Sequence, residues 1–99
     1  MGYRIELHPL ALQEMEESYQ WYEDRSPGLG RSFLAAIQKR FDRIADLPES
    51  YAKKKGDYRE APLPKFPFVV IYEVHAKRKT VFVTYVFHTK RDPSLKYKR

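Results

Sequence analysis

The chain has 99 residues, of which 42% are hydrophobic and 15% aromatic, and it contains no cysteine. This length predicts one domain over residues 1–99, and the apolar content is too high for a disordered chain. Without cysteine, neither a disulfide framework nor a thiolate metal site is possible. The formal charge of +6 is uneven, because residues 1–50 carry a net −3 and residues 51–99 a net +9. A basic half of this kind favours a polyanion or an acidic protein as partner.

The N-terminal segment Tyr3–His8 alternates between apolar and polar residues and predicts a first strand. Arg4, Glu6 and His8 interrupt it too early for a signal peptide. No apolar run approaches the ~20 residues that span a bilayer. We therefore expect a cytoplasmic protein with no membrane partner.

Two amphipathic helices are predicted next. Pro9 suits the first turn of a helix, and apolar residues then recur at helical spacing along residues 10–25, at Leu12, Met15, Tyr19 and Tyr22. The same spacing predicts a second helix that ends before Pro48, with apolar positions at Leu34, Ile37, Phe41 and Ile44. Ser26 or a neighbour is placed to cap this second helix. The short link between the helices predicts an antiparallel hairpin.

Three strands are predicted in the second half. Residues 49–57 form a charged loop, and Tyr58–Ala61 forms a short strand. Residues 68–74 and 80–88 are rich in Val, Ile, Phe and Tyr, and they predict a hairpin around a basic turn at residues 75–79. Both strands of this hairpin are apolar at nearly every position, so we expect both faces of the sheet to be at least partly covered.

The order of these elements predicts an α+β fold, β-α-α-β-β-β, with the helical hairpin packed on one face of a small, mainly antiparallel sheet. The other face needs either the C-terminal tail or a partner as its cover. That tail, residues 89–99, is basic and has no apolar periodicity, and Pro93 prevents a long helix from beginning there.

The end of the last strand carries the first candidate for chemistry. Regular alternation predicts one face with Phe82, Thr84, Val86 and His88, and an opposite face with Val81, Val83, Tyr85 and Phe87. His88 ends the strand, and Lys90 and Arg91 follow it. A histidine beside fixed cations can act as a general acid or contact a phosphate. The alternative is a histidine that only ends a strand and hydrogen-bonds a carbonyl.

RNA cleavage would draw on several elements. It needs a base for the 2′-hydroxyl, an acid for the leaving oxygen and cations for the charge that develops on phosphorus. Glu60 or His88 could be the base and His88 the acid, although Glu60 could equally pair with a nearby cation. The cations and stacking rings available for this reaction are Arg59, Lys65, Arg91, Tyr72 and Tyr85.

Other chemistries are not indicated. The histidine spacing predicts no metal site, and no glycine-rich loop predicts a phosphate or cofactor site. We therefore expect no cofactor and no small-molecule substrate.

Several segments, in this order, resemble the RelE/ParE superfamily of toxins from type II toxin–antitoxin systems, often labelled plasmid stabilisation proteins. They are Ser26–Phe33 between the helices, Pro48 after the second helix, Arg59–Tyr72, and Val83–His88 followed by Arg91-Asp92-Pro93. The resemblance covers nearly the whole chain.

The resemblance implies a small bacterial toxin that inhibits growth and is neutralised by a cognate antitoxin. RelE-like members are ribosome-dependent endoribonucleases that cut mRNA, whereas ParE-like members inhibit DNA gyrase, so the resemblance leaves open whether this chain is an enzyme. A non-toxic nucleic-acid or protein-binding module that keeps the fold is the alternative. Candidate catalytic residues are His88, Arg91 and Arg59. Candidate RNA- or partner-binding residues are Lys65, Tyr72, Tyr85, Lys90, Tyr97 and Arg99.

Overall fold

The structure is a computed structural model that describes residues 2–99. Its helices and strands are β1 Arg4–Leu7, α1 Pro9–Arg25, α2 Leu29–Asp46, β2 Lys53–Lys55, β3 Tyr58–Pro62, β4 Phe68–His75 and β5 Thr80–His88. Short 3-10 turns occupy Ala76–Arg78 and Pro93–Leu95. The strands form one sheet in the order β1-β5-β4-β3-β2, in which β1 is parallel to β5 and the other neighbours are antiparallel.

The predicted α+β fold, with a helical hairpin on a mainly antiparallel sheet, is confirmed. One correction concerns the loop predicted at residues 49–57, which contains the short strand β2. β2 pairs antiparallel with β3 at the edge of the sheet, and all three of its residues are exposed lysines. Charged side chains on an edge strand hinder pairing with another chain. A run of lysines is therefore as compatible with an edge strand as with a loop.

The helices pack on one face of the sheet around a core that includes Phe33, Ile37, Phe41 and Ile44 of α2. The stripe of α1 differs from the prediction, because Ala11 is fully buried whereas Leu12 is 41% exposed. Met15, Tyr19 and Tyr22 pack against the core as predicted. The buried stripe thus begins one residue earlier, where the small side chain of Ala11 allows the helix to approach β5 closely.

The link between the helices depends on a carboxylate and two glycines. The cap of α2 was predicted at Ser26 or a neighbour, and it is the neighbour Gly28, in the left-handed region with a φ of 89°. Ser26 instead ends α1. The side chain of Glu23 accepts hydrogen bonds from the N–H groups of Gly28 and Gly30, both at 2.9 Å. A Cβ on Gly30 would lie 2.7 Å from the carbonyl oxygen of Tyr19. Gly30 therefore permits the close approach of the two helices.

A β-bulge corrects the predicted faces of β5. Ile71 pairs with Tyr85 but Tyr72 pairs with Val83, which leaves Thr84 as an extra residue. Its hydroxyl donates to the carbonyl of Ile71 at 3.1 Å. Because one inserted residue shifts the alternation, the helix-facing core takes Val81 and Val83 together with Val86, whereas Tyr85 and Phe87 face the other side.

The C-terminal tail covers that other side of the sheet. Val69, Ile71, Tyr85 and Phe87 form a second apolar cluster, against which Tyr58 and Tyr97 pack. The sequence left open whether the tail or a partner covers this face, and in the structure the tail covers it. This also accounts for the apolar character of both central strands.

Candidate functional site

His88 lies at the end of β5 on the helix-facing side of the sheet. Its Nδ1 accepts a hydrogen bond from the N–H of Lys90 at 3.0 Å, and its ring packs edge-on against Phe68 with centroids 4.9 Å apart. These contacts hold the turn after β5. They are close to the structural alternative for His88, in which it ends the strand and hydrogen-bonds the backbone, except that its backbone partner is an N–H and not a carbonyl.

Arg91 makes an ion pair that the sequence did not predict. Its Nη1 lies 2.6 Å from Oε2 of Glu14 on α1, and Arg99 donates to both oxygens of the same carboxylate at 2.8 and 2.9 Å. The N–H of Val86 also donates to Glu14, at 3.0 Å. Burial by itself raises the pKa of Glu14, but the hydrogen bonds from Arg99, Arg91 and Val86 and the charge of Arg99 outweigh it, so the pKa lies below its ordinary value.

This cluster of Glu14, Arg91 and Arg99 closes an open edge of the sheet. Within the part of the chain that the structure describes, β1 pairs with residues 80–83 of β5, and the next residues of β5 have no neighbouring strand on that side. Glu14 accepts from the N–H of Val86, and Arg99 donates to the carbonyl of Thr84 at 2.9 Å. The sequence contains no signal that separates Glu14 from the other acidic residues of α1, because its role depends on where β1 ends.

Arg59 and Tyr72 lie elsewhere, paired across β3 and β4. The guanidinium of Arg59 donates to the carbonyl of Tyr51 at 2.7 Å, and the fully buried Tyr72 donates to the carbonyl of Pro48 at 2.8 Å. Burial raises the pKa of Tyr72 to about 12. Both side chains thus hold the segment after α2, and the ring of Tyr72 is not available to stack on a base.

The register also separates Arg59 from His88. Arg59 pairs with Tyr72, whereas His88 pairs with Phe68. Phe68 and Tyr72 are four positions apart in β4, or roughly 13 Å along the strand. The structure therefore brings Arg91 and His88 to one end of β5 but leaves Arg59, the third candidate catalytic residue, apart from them.

The tail residues among the candidates make contacts on the second face. The hydroxyl of Tyr97 donates to Glu60, and the Nζ of Lys96 lies 3.2 Å from the same carboxylate. Burial, followed by the hydrogen bond and charge of Glu60, raises the pKa of Tyr97 to about 12. The buried Tyr85 accepts from the N–H of Lys98 at 2.8 Å, and its ring lies under the guanidinium of Arg99. Glu60 thus pairs with a nearby cation, which was one of its two predicted roles.

Two candidate cations, Lys65 and Lys90, are exposed. Lys65 has a φ of 69°, in the left-handed region, within the turn between β3 and β4. Neither lysine makes an ion pair with another residue in the described range 2–99. Of the predicted binding residues, these two are the ones whose charged groups face solvent without a partner.

An apolar groove of about 600 Å³ lies between α1 and the ends of β4 and β5. Its lining residues are Glu14, Glu17, Ser18, Trp21, Tyr22, Pro67, Phe68, Val86, His88 and Arg91. Within residues 2–99 there is no group of three or more His, Asp or Glu side chains that could hold a metal ion, and no helix is long and apolar enough to cross a membrane.

Comparison with known proteins identifies the family. The model of the ParE toxin of type II toxin–antitoxin systems, parDE, matches residues 5–93. No curated protein matches the sequence at a significant level.

Solved structures show the same fold at low identity. The chromosomal ParDE system of P. aeruginosa has a TM-score of 0.76 and 13% identity, covering 89% of this chain and 97% of that chain. A mutant of the E. coli toxin RelE in the free state has a TM-score of 0.69 and 19% identity, covering 91% of this chain and 86% of that chain. The RelBE2 toxin–antitoxin complex from Mycobacterium tuberculosis has a TM-score of 0.61 and 14% identity, covering 89% and 99%.

The family match extends over most of the chain, from β1 to the turn that follows β5. The observed fold agrees with it, and the resemblance noted in the sequence is confirmed. This chain belongs to the ParE toxin family of type II toxin–antitoxin systems.

Proposed function

We propose that this toxin arrests growth by inhibiting DNA gyrase and that a cognate antitoxin neutralises it. Gyrase is the target that the resemblance to ParE-like members implies, and the family match supports that branch. We favour gyrase inhibition over mRNA cleavage because of one observation: the guanidinium of Arg91 is paired with Glu14 at 2.6 Å.

A ribonuclease needs cations that are free to stabilise the charge developing on the scissile phosphate. The guanidinium of Arg91 is held by Glu14, whose single negative charge it shares with Arg99. Arg59 donates to the backbone carbonyls of Glu49 and Tyr51, in the segment after α2. His88 has only Lys90 beside it as an unpaired cation in the described range. This arrangement supports a toxin that acts on a protein surface.

The antitoxin part of the proposal has a separate basis. Among the similar structures, the M. tuberculosis RelBE2 and the Pyrococcus horikoshii RelE–RelB structures are complexes of toxin and antitoxin. An E. coli RelE mutant is likewise described in complex with a peptide of its antitoxin. We infer that this chain, too, is neutralised by a protein encoded beside its gene.

Purified toxin in a gyrase supercoiling assay tests the target. We expect inhibition that the co-encoded antitoxin relieves, and we expect mRNA on ribosomes to remain intact under the same conditions. Unaffected gyrase would contradict the proposal. Harmless expression of the toxin alone would instead favour the non-toxic binding module, whose binding should weaken strongly with salt.

Ribosome-dependent mRNA cleavage is the second candidate, because His88 and Lys90 lie together at the end of β5 and the fold is shared with RelE. It predicts that His88→Ala abolishes cleavage while the protein still folds. Cleavage at ribosome-bound codons by the unmodified toxin, lost in His88→Ala, would establish this candidate in place of gyrase inhibition.

A further inference from the structure

The end of the sheet at which β4 turns into β5 carries two exposed clusters of cations. β2, at the edge of the sheet, consists of three exposed lysines, Lys53–Lys55. Residues 77–79, in the turn, are two lysines and an arginine, and they are exposed as well. We call these six residues the basic end of the sheet.

The strand register brings the two clusters together. Lys55 pairs with Tyr58 on β3, and the next residue of β3, Arg59, pairs with Tyr72 on β4. β4 continues from there to His75, where the turn begins. Because neighbouring strands lie about 4.8 Å apart and each residue advances a strand by about 3.4 Å, the two clusters lie within roughly 20 Å of each other.

Few carboxylates offset this charge. Residues 53–57 and 73–79 contain six Lys or Arg but two carboxylates. Asp57 lies 3.2 Å from Lys53, and Glu73 lies beside a histidine. The other five cations of the basic end make no ion pair in the part of the chain that the structure describes. The basic end therefore presents a strongly positive surface to solvent.

Protection of the sheet edge explains only β2. Charged side chains on an edge strand hinder pairing with other chains, but the turn joins β4 and β5, which are inner strands. Within this turn, Lys79 has a φ of 46°, in the left-handed region. Glycine or asparagine is favoured in that conformation. The backbone of the turn thus does not favour lysine here, and what Lys79 adds is its charge.

The side chains around these cations suit a phosphate backbone better than a protein partner. β2 has no apolar or aromatic residue, and the turn has only the small Ala76. Stable protein contacts centre on buried aromatic or aliphatic anchors, and single-stranded nucleic acids stack their bases on aromatic rings. Duplex DNA needs neither. It carries one negative charge per about 1.7 Å of its axis, and so offers phosphates across the whole basic end.

We propose that the basic end of the sheet binds the phosphate backbone of duplex DNA without reading its sequence. This inference goes beyond the proposed inhibition of gyrase and does not depend on it. DNA is the substrate of gyrase, so binding to DNA concentrates the toxin where that enzyme acts.

Fluorescence anisotropy with a labelled duplex and toxin free of antitoxin tests the proposal. We expect binding to a duplex of about 20 base pairs at about 50 mM NaCl, weakened roughly 10²- to 10³-fold at about 200 mM, because each phosphate contact releases a counterion. A single strand of the same length should bind no more tightly. Absence of binding at the lower salt concentration, binding that does not depend on salt, or a tighter complex with the single strand would overturn the proposal.

A matched pair of double variants tests the location. Lys54→Gln with Lys77→Gln removes one charge from each cluster. It should weaken DNA binding about tenfold and lower the slope of log Kd against log salt concentration by about 2. Arg31→Gln with Lys39→Gln removes the same charge from exposed positions of α2 and should change both quantities much less. Equal losses in the two double variants would refute the assignment to the basic end.

The gyrase assay separates this inference from the proposed target. If the toxin binds DNA through the basic end but leaves gyrase unaffected, the inference stands and the target is wrong. If the toxin inhibits gyrase but does not bind DNA, the target stands and the inference fails. If Lys54→Gln with Lys77→Gln keeps its affinity for DNA but binds gyrase or the antitoxin more weakly, the basic end contacts an acidic protein and the inference also fails.

Discussion

Glu14 and Arg99 connect the first helix to the end of the tail, with Oε2 and Nη2 2.8 Å apart. The side chain of Glu14 is only 15% exposed, and it also binds Arg91 and the N–H of Val86. One carboxylate thus connects α1, the open edge of β5 and the tail. Because the tail covers the second face of the sheet, this cluster contributes to the packing of both faces.

Replacing this carboxylate tests its contribution to stability. Glu14→Gln keeps the shape of the side chain but leaves two arginines without a counter-charge, so we expect it to lower the free energy of unfolding by about 2 kcal/mol. Urea denaturation measures the change. Glu17→Gln, on the same helix and without a cation, is the control and should change stability little. Equal losses in the two variants would show that the cluster has no special role.

The same residue predicts a dependence of stability on pH. The pKa of Glu14 in the folded chain lies below its ordinary value of 4.5. The stabilisation is therefore fully present above pH 4.5 and is lost as the pH falls through the lowered pKa. The difference in unfolding free energy between wild type and Glu14→Gln should be constant near neutral pH and shrink below pH 4.5. A difference that grows on acidification would contradict the ion-pair assignment.

Tyr97 predicts a change at the alkaline end. Its pKa is raised from 10.0 to about 12, so the neutral hydroxyl stabilises the fold below pH 10, and this contribution is lost between pH 10 and about 12. Tyr97→Phe removes the hydrogen bond to Glu60 and should cost about 1 kcal/mol at neutral pH. Chemical denaturation of both proteins across this range measures the effect. Tyr72 is present in both, so the difference curve reports Tyr97 alone; a flat difference would rule out its coupling to Glu60.

Gly30 predicts the effect of one added methyl group. A Cβ at this position would lie 2.7 Å from the carbonyl oxygen of Tyr19, so α1 and α2 would have to move apart. We expect Gly30→Ala to lower the free energy of unfolding by about 1–3 kcal/mol despite the better helix propensity of alanine. Thermal melting checks this. Ala35→Gly, at an exposed position of the same helix, should cost about 1 kcal/mol through propensity alone. A stabilised Gly30→Ala protein would show that the helices are not in close contact there.

The sequence predicted helices and strands well where a periodic pattern fits only one type of secondary structure. Helical spacing predicted both helices, and the predicted start of α1 and the predicted ends of α1 and α2 agree with the structure to within one residue. The apolar runs predicted β4 and β5. The pattern was less informative for single positions. Leu12 fits the predicted stripe of α1, yet Ala11 occupies the buried position, because the distance between helix and sheet decides which residue faces inward.

The bulge at Thr84 was not predictable from alternation. The residues of β5 are apolar on both faces, so a shift of one position leaves no mismatch in the pattern. The face assignments of Phe82, Val81 and Val83 were wrong for this reason. The contacts of the candidate site were likewise not predictable. No local sequence pattern indicates the pairing of Glu14 with Arg91 or the distance between Arg59 and His88.

The sequence by itself determined the fold class, the family and the uneven charge, because these follow from periodicity, composition and the order of segments along the chain. Tertiary structure decided which of the basic residues are free. Arg59, Arg91, Lys96 and Arg99 are engaged within the chain. By contrast, Arg25, Lys65 and Lys90 are exposed and make no ion pair within the described residues. The sequence gives the number of charged residues. Which of them form ion pairs depends on contacts between residues far apart in the chain, such as Glu14 and Arg99.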